Sequence, residues 1–262
     1  MFQDKVIWIV GASSGFGAAL AQAFGKTGAR IILSARRENE LEKIKAIMVG
    51  TQTQVLPLDL EKHETFSDKT REAIAFFGHV DMIVLAGAVA QNAPVVEVHP
   101  DIERKIMEVD YFSYTQLTHC ILPHFLERNQ GHFIVISGVL ARVTLPNRSS
   151  YAAAKAALHG YYGCLRSELA KTNIDITLLV PSAMQTDLSL KALRADGNVP
   201  ETAQSVTTGC SLEKAAQQSL QAIERKRAEA LIGNWDMGSV LWKLSLFFPN
   251  YVAKLLVKKA RG

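Results

Sequence analysis

Short apolar runs rich in β-branched residues alternate along this chain with longer segments of helical periodicity. The runs occupy residues 6–10, 30–34, 54–58, 82–85, 132–136, 175–180 and 230–232. The amphipathic segments between them include 17–27, 39–48, 64–77, 101–127 and 150–171. This alternation is typical of parallel strands that are joined by right-handed crossovers and covered by helices on both faces. It predicts an α/β fold, namely a single-domain Rossmann-type doubly wound parallel sheet of about seven strands.

The 262 residues suffice for one large domain, which we place at 1–234. Within it, residues 182–209 carry Gly197, Pro200 and many Ser, Thr and Asn residues before a helix that begins near Ser211. A long insertion at such a place usually covers a site, so we predict a lid there. Residues 235–262 are rich in Trp, Leu and Phe and end in basic residues, which predicts an apolar and basic helical extension.

Composition narrows the class of protein. Hydrophobic residues make up 48% and charged residues 21%, which is globular usage, and a net charge of +4 is too small to indicate a nucleic-acid surface. Cys120, Cys164 and Cys210 lie far apart without metal-ligand spacing. We therefore expect free thiols in a cytoplasmic protein without a bound metal. No apolar run is long enough to predict a membrane-spanning helix.

The glycine-rich segment after the first run reads Gly11-Ala12-Ser13-Ser14-Gly15-Phe16-Gly17. Its position between a strand and a helix lets backbone N–H groups and the helix N-terminus face a pyrophosphate. A tight turn without a ligand would need similar glycines. Both interpretations stay open on this motif alone.

The end of the second run carries Arg36 and Arg37 where an NAD-selective site usually has an acidic residue. Arginine pairs with a 2′-phosphate, whereas a carboxylate would repel it, so NADP(H) is favoured over NAD(H). Alternatively, both arginines belong to a solvated helix start. Asp59 is a candidate partner for the adenine amino group, or else a cap for the following helix.

Tyr151 and Lys155 are four residues apart on a segment of helical periodicity, so they share one face. An ammonium group beside a phenol favours the phenolate and lowers the pKa of the tyrosine toward working pH, as a general acid or base requires. An ordinary exposed helix pair is the alternative.

Taken together, these motifs resemble the short-chain dehydrogenase/reductase superfamily over nearly the whole chain. The matching residues are the glycine segment, Asp59-Leu60, Ile136-Ser137, Pro146, Tyr151-Ala152-Ala153-Ala154-Lys155, and Pro181 with Thr186. The resemblance implies hydride transfer between a nicotinamide and a carbonyl or alcohol carbon. Tyr151 would exchange the proton, Lys155 would hold the ribose hydroxyls, and Thr186 would bind the nicotinamide carboxamide. It also implies a homodimer or homotetramer.

The chain departs from the family pattern at several positions. Counting back from Tyr151, the substrate-binding serine falls on Gly138, with Ser137 directly before it. Thr144, Asn147 and Ser149 are other hydroxyl or amide candidates for the missing donor. The family's helix asparagine corresponds to Asp110, its Asn-Asn-Ala-Gly to Leu85-Ala86-Gly87-Ala88, and its Pro-Gly to Pro181-Ser182.

The resulting hypothesis is an NADP(H)-dependent oxidoreductase that acts on a lipophilic carbonyl or alcohol. The candidate catalytic residues are Tyr151, Lys155, Asp110 and Ser137. The candidate cofactor-binding residues are Gly11, Ser13, Ser14, Gly15, Phe16, Gly17, Arg36, Arg37, Asp59, Leu60, Ala86, Gly87, Tyr151, Lys155, Pro181, Ser182 and Thr186. The expected apolar pocket and lid residues are Val139, Leu140, Leu145, Pro146, Met184, Leu188 and Leu193.

Two other hypotheses stay open on the sequence. One is a catalytically impaired protein of the same fold that binds nucleotide as a sensor or scaffold. The other concerns the C-terminal segment, which either contacts a membrane surface or packs against the body or a second subunit.

Overall fold

The computed structural model describes residues 2–199 and 208–261. The strands are β1 (Val6–Val10), β2 (Arg30–Ser34), β3 (Thr53–Val55), β4 (Met82–Leu85), β5 (Gly131–Ile136), β6 (Ile174–Pro181) and β7 (Glu229–Ile232). The α-helices are α1 (Gly15–Gly25), α2 (Glu38–Ile47), α3 (Phe66–Phe77), α4 (Pro100–Met107), α5 (Ser113–Arg128), α6 (Ser149–Glu168), α7 (Leu212–Glu224), α8 (Met237–Phe247) and α9 (Pro249–Arg261).

The described strands form one sheet in the order β3-β2-β1-β4-β5-β6-β7, and every neighbouring pair is parallel. The chain winds outward in both directions from the boundary between β1 and β4. In such sheets a ligand binds beyond the carboxyl ends of the strands, next to this switch point. The Rossmann-type fold predicted from the sequence is confirmed.

Side chains from alternate positions of the strands fill a core on each face of the sheet. Val6, Trp8 and Val10 of β1 belong to the core that α5 and α6 cover. Ile7 and Ile9 belong to the opposite core, which α1 and α7 cover. Burial on both faces explains why β1 is a continuous apolar run rather than an alternating one.

The third strand is shorter than the prediction of 54–58, because it ends at Val55. Backbone hydrogen bonds to the neighbouring chain segment continue beyond it, from the N–H of Leu56 to the carbonyl of Leu33 at 2.9 Å and from the N–H of Leu58 to the carbonyl of Ala35 at 3.1 Å. Leu58 is also buried in the core. The predicted run 54–58 therefore follows the sheet edge although the regular strand ends at Val55.

The segment predicted as one helix at 101–127 consists of α4, a π-helical turn at Glu108–Phe112, and α5. A π turn accommodates one extra residue, and such turns are frequent at functional sites. Here the turn carries Asp110, which is completely buried. The inserted turn brings this carboxylate to the end of β4.

The described part of the predicted lid lies against the loop that follows β4. Leu193 exchanges backbone hydrogen bonds with this loop, donating to Ala90 and accepting from Asn92, both at 2.8 Å. Leu188 and Ala192 belong to the same apolar cluster as Tyr151. Residues 200–207 of the predicted lid lie outside the described residues.

The C-terminal segment forms α8 and α9, which pack against each other and, through Leu241 and Trp242, against β6 and the loop after β5. Among the described residues, no helix has both the length and the apolarity that crossing a bilayer would require. Cys120, Cys164 and Cys210 are free thiols.

Candidate active site

Two glycines of the first turn are required by backbone packing. A Cβ atom on Gly11 would lie 2.3 Å from the backbone nitrogen of Gly87, and one on Gly17 would lie 2.2 Å from the carbonyl oxygen of Gly11. Gly11 also has a φ of +92°, which strains any other residue. These glycines therefore support the tight-turn interpretation and do not by themselves indicate a ligand.

Gly15 differs from the other two because it faces open space. Its φ is +57°, and an added Cβ would meet only the side chain of Thr186, at 3.8 Å. Ser14 is the N-cap residue of α1 but makes no capping bond through its side chain, and the first turn has no acidic residue. The helix N-terminus and Thr186 thus border a gap, and a helix N-terminus favours anions such as a phosphate.

Arg37 lies across the outer end of this gap. Its guanidinium donates to the hydroxyl oxygens of Ser13 at 3.1 Å and Ser14 at 3.5 Å. Arg36 instead pairs with Glu61 at 3.9 Å, and both arginines are exposed. The structure therefore separates the two arginines, and it directs Arg37 toward the glycine segment.

The segments that follow β3 and β4 pack against each other beside the glycine turn. A Cβ on Gly87 would lie 2.5 Å from the side chain of Leu60, so these two residues pack without room for a methyl group. The N–H of Ala86 donates to the carbonyl of Val10. One carboxylate oxygen of Asp59 accepts from the N–H of Glu61 at 3.1 Å, which is an Asx turn. Asp59 is not the N-cap residue of the following helix α3, which is Thr65.

Tyr151 and Lys155 lie on α6 and are both buried, with exposed fractions of 9% and 1%. This excludes an ordinary exposed helix pair. The ammonium of Lys155 pairs with the buried carboxylate of Asp110 at 3.2 Å and donates to the carbonyl of Ile136 at 3.2 Å. The other oxygen of Asp110 accepts from the N–H of Val89 at 2.7 Å. A buried ion pair thus stands beside the phenol.

The electrostatics of Tyr151 differ from the expectation that Lys155 lowers its pKa. Burial raises the pKa of the Tyr151 phenol, the charge of Asp110 raises it further, and Arg148 lowers it. Burial also raises the pKa of Asp110, against the opposing charge of Lys155. Because burial and the charge of Asp110 both disfavour the phenolate, the phenol is protonated through the physiological pH range.

Gly138 lies opposite the Tyr151 hydroxyl. Its backbone is extended, with a φ of 173°, so any residue fits there. A Cβ added to Gly138 would lie 4.0 Å from the Tyr151 hydroxyl and 3.9 Å from the carbonyl oxygen of Pro181, both ordinary contact distances. A side chain at position 138 would therefore point at the Tyr151 hydroxyl, in agreement with the count back from Tyr151 in the sequence. Because the residue is glycine, it offers no side-chain hydrogen-bond donor there.

Ser137, the neighbouring candidate, points elsewhere. Its hydroxyl is 2.8 Å from Nε2 of His159 and donates to the carbonyl of Lys155 at 3.3 Å. Nδ1 of His159 in turn pairs with Glu229 at 3.1 Å. This is the outcome that strand alternation predicts, and we leave Ser137 out of the catalytic set proposed below.

The other candidate donors do not replace the serine either. Ser149 accepts from the side-chain amide of Gln91 at 3.2 Å. Thr144 and Asn147 are exposed on the loop that leads to α6. The donor that the family position would supply therefore has no equivalent among these three residues.

Sequence reasoning missed Gln91 and Arg148. Gln91 is completely buried, and its side-chain oxygen accepts from the N–H of Ser150 at 3.0 Å, so it caps α6 next to Tyr151. Arg148 donates to the backbone carbonyl of Gln91 and is the cation that favours the Tyr151 phenolate. The sequence did contain a signal for Gln91, because this large polar residue follows a run of apolar and small residues at 85–90.

Ser182, a candidate cofactor-binding residue, directly follows the end of β6. The side-chain oxygen of Ser182 lies 2.2 Å from the place where a Cβ on Gly233 would stand, so this serine is turned toward β7. Its N–H donates to Ile232 at 2.8 Å. The serine that replaces the family's glycine after Pro181 is accommodated because position 233 is itself a glycine.

Comparison with known proteins identifies the family of this chain. A model of the short chain dehydrogenase family matches residues 5–196. A Drosophila melanogaster protein named Dehydrogenase/reductase SDR family protein 7-like is 33% identical over 266 residues, covering 98% of this chain and 80% of that protein.

Solved structures agree with the fold. A short-chain dehydrogenase from Streptomyces avermitilis has a TM-score of 0.83 at 26% identity, covering 99% of this chain and 98% of that one. A short chain dehydrogenase from Burkholderia cenocepacia, in complex with NADP, has a TM-score of 0.80 at 24% identity, covering 98% of each chain. With its glycine turn, its buried Tyr151 and Lys155 and these relatives, the chain belongs to the short-chain dehydrogenase/reductase family.

Proposed function

We propose that this protein is an NADP(H)-dependent oxidoreductase that reduces a lipophilic carbonyl compound. The observation that carries the proposal is the buried Tyr151 hydroxyl, which faces position 138 at the carboxyl end of the sheet. A bound nicotinamide supplies the hydride. The protonated phenol of Tyr151 donates the proton to the substrate oxygen, as a positioned general acid.

The apolar surroundings of Tyr151 support a lipophilic substrate. Leu140 and Leu188 pack in one cluster with Tyr151, together with Ala90 and Ala192. Such a lining favours an apolar ketone or aldehyde and leaves orientation to few polar groups. A panel of ketones and aldehydes of increasing chain length, assayed with NADPH, tests this proposal by whether kcat/KM rises with apolar surface.

The preference for NADP(H) rests on Arg37. Its position against Ser13 and Ser14 forms a donor cluster beside the adenosine end, where a 2′-phosphate accepts charge-assisted hydrogen bonds. An NAD-selective carboxylate is absent from residues 34–37. The NADP complex of the Burkholderia cenocepacia relative is compatible with this preference.

Arg37→Ala is expected to weaken NADPH binding by about 10- to 100-fold, because charged hydrogen bonds to the phosphate are lost. NADH binding should change little. Thermal shift titrations with each nucleotide measure both effects. Arg36→Ala is the matched control, since Arg36 pairs with Glu61 and should leave the NADPH affinity nearly intact. Equal losses for NADPH and NADH in Arg37→Ala would contradict the assignment.

A second candidate function is nucleotide binding without efficient turnover. It is favoured by Gly138, which offers no donor, and by the Asp110 pair that occupies the Lys155 ammonium. This candidate predicts a thermal shift with NADPH and no turnover on the carbonyl panel. Turnover that depends on Tyr151 would exclude it.

Asp110→Asn tests how the buried carboxylate controls the phenol. Asp110 raises the pKa of Tyr151, so removing its charge makes the phenolate less costly and lowers that pKa. In the reverse reaction, alcohol oxidation, Tyr151 must be a phenolate to accept the proton. The rate of alcohol oxidation therefore rises as the pH passes upward through the pKa of Tyr151. We expect the rising limb of the normalised kcat profile to move to lower pH in Asp110→Asn.

The control is Asp187→Asn, an exposed carboxylate paired with Lys191, which should leave the profile in place. Normalising kcat separates the shift from any loss of folded protein. An unchanged limb, or one that moves to higher pH, would show that Asp110 does not act on the proton-transfer step.

A further inference from the structure

The helical pair α8 and α9, called here the C-terminal hairpin, exposes an unusual number of large apolar side chains. Trp235 just before it is 78% exposed, and Phe247, Phe248 and Tyr251 at its turn are 77%, 59% and 58% exposed. The Lys259 ammonium lies 3.3 Å from the sulfur of Met237, which places the end of α9 beside the start of α8. Phe247, Phe248 and Tyr251 therefore cluster at the connection of an antiparallel pair, and Trp235 lies at its open end.

The charge on this hairpin has one sign. Residues 237–262 contain no Asp or Glu, and their basic residues are Lys243, Lys254, Lys258, Lys259 and Arg261. By contrast, the whole chain carries only a net charge of +4. The hairpin thus carries the net positive charge of the chain, while the rest of the molecule is close to neutral.

Apolar and basic residues share the outer faces of both helices. On α8, Val240, Lys243 and Phe247 follow each other at helical spacing and are exposed, and the Lys243 ammonium lies 3.9 Å from the ring centre of Trp235. On α9, Tyr251 and Lys254 do the same at the beginning of the helix. Long lysine side chains between aromatic rings are typical of helices that lie in a membrane interface.

The inner face of the hairpin is firmly attached to the domain. Trp242 is 1% exposed, stacks against His159 at 5.4 Å, and lies under the guanidinium of Arg142 at 5.0 Å. Val139 and Val143 pack in the same cluster. The inner face therefore holds the loop that begins at Gly138, while the outer face has no partner in the described part of the chain.

We propose that the C-terminal hairpin docks on an anionic lipid bilayer, with Trp235, Phe247 and Phe248 inserted into the interfacial region. The exposed lysines match the negative surface of such a bilayer, and each lysine close to it strengthens binding. A second copy of the same face is the less suitable occupant, because two symmetric faces would bring lysines together without any acidic partner. Docking would bring the loop at Gly138 close to the bilayer, in which lipophilic molecules are concentrated.

The tryptophans provide a direct readout. Trp8 and Trp242 are 0% and 1% exposed, so Trp235 is the tryptophan whose fluorescence a bilayer can change. We expect the full chain to co-sediment with vesicles of phosphatidylglycerol and phosphatidylcholine, and hardly with phosphatidylcholine alone. Brominated lipid should quench the emission of Trp235, and high salt should release the protein.

Two variants separate the apolar and the electrostatic contributions. Phe247→Glu with Phe248→Glu should lower the partition coefficient at least about tenfold, because each ring contributes on the order of 1–2 kcal/mol of apolar burial. Lys254→Glu with Lys258→Glu should abolish the preference for phosphatidylglycerol. Ile47→Glu with Val49→Glu is the matched control, since both residues are exposed at the end of α2, near the opposite edge of the sheet.

The proposal is overturned if the full chain does not bind the anionic vesicles, or if neither hairpin variant weakens binding. A second contrary result has two parts: the parent protein does not bind vesicles, and light scattering shows that the phenylalanine variant converts an oligomer into monomers. The outer face of the hairpin would then be a protein interface, and the proposal would be overturned. Retained circular dichroism shows that the variants fold. None of these readouts depends on turnover, so failure here is distinguishable from failure of the proposed activity.

Discussion

Tyr151→Phe is expected to lower kcat for carbonyl reduction by about 10²–10⁴-fold, which is the usual contribution of a positioned general acid. The phenol is buried on α6 and protonated, and it faces the position at the carboxyl end of the sheet where a substrate oxygen would sit. Removing the hydroxyl leaves the ring and its packing with Leu140 and Leu188 in place. Nucleotide binding should therefore persist, and the thermal shift with NADPH should stay nearly unchanged.

The same helix supplies a control for this experiment. Tyr161 also lies on α6, but its hydroxyl is near His119 at 3.5 Å on the outside of the molecule. Tyr161→Phe should retain the parent rate. If Tyr151→Phe also retains it, Tyr151 is not the proton donor, and the proposed mechanism is wrong even though the protein keeps the family fold.

The fold was predictable because its signals are local and repeated. The runs of β1, β2 and β4 were placed at their bounds, since a strand buried on both faces must be continuously apolar. The errors arose where a nonlocal contact decided the structure. The hydrogen bond from the N–H of Val89 to Asp110 accompanies a π turn that the periodicity of the sequence does not reveal.

The sequence indicated which residues belong to the candidate site, but not which residues their side chains contact. Helical spacing paired Tyr151 with Lys155, and the family resemblance, counted back from Tyr151, pointed to Gly138. It could not show that Lys155 is held by Asp110, because those residues are distant along the chain and meet only across the sheet end. Gln91 and Arg148 were missed for the same reason. Gln91 caps α6, and Arg148 donates to the Gln91 carbonyl, only because the loop after β4 folds against the start of α6.

Gly138→Ser is expected to raise kcat by about 10²–10³-fold if a donor to the substrate oxygen is what this site lacks. The geometry allows the change, because the backbone at Gly138 is extended and a new Cβ would be 4.0 Å from the Tyr151 hydroxyl without a clash. The serine hydroxyl would then donate to the same oxygen that Tyr151 protonates. Its effect should appear mainly in kcat, since the developing negative charge on that oxygen is greatest in the transition state.

Gly138→Ala is the control that separates chemistry from shape. Alanine fills the same space and restricts the backbone in the same way but donates nothing, so it should leave kcat close to that of the parent. Steady-state kinetics on all three proteins with NADPH and one carbonyl substrate provide the comparison. A serine variant no faster than the alanine variant would mean that this site does not use a donor at position 138, and that binding and proton transfer are organised around Tyr151 and its buried charge pair alone.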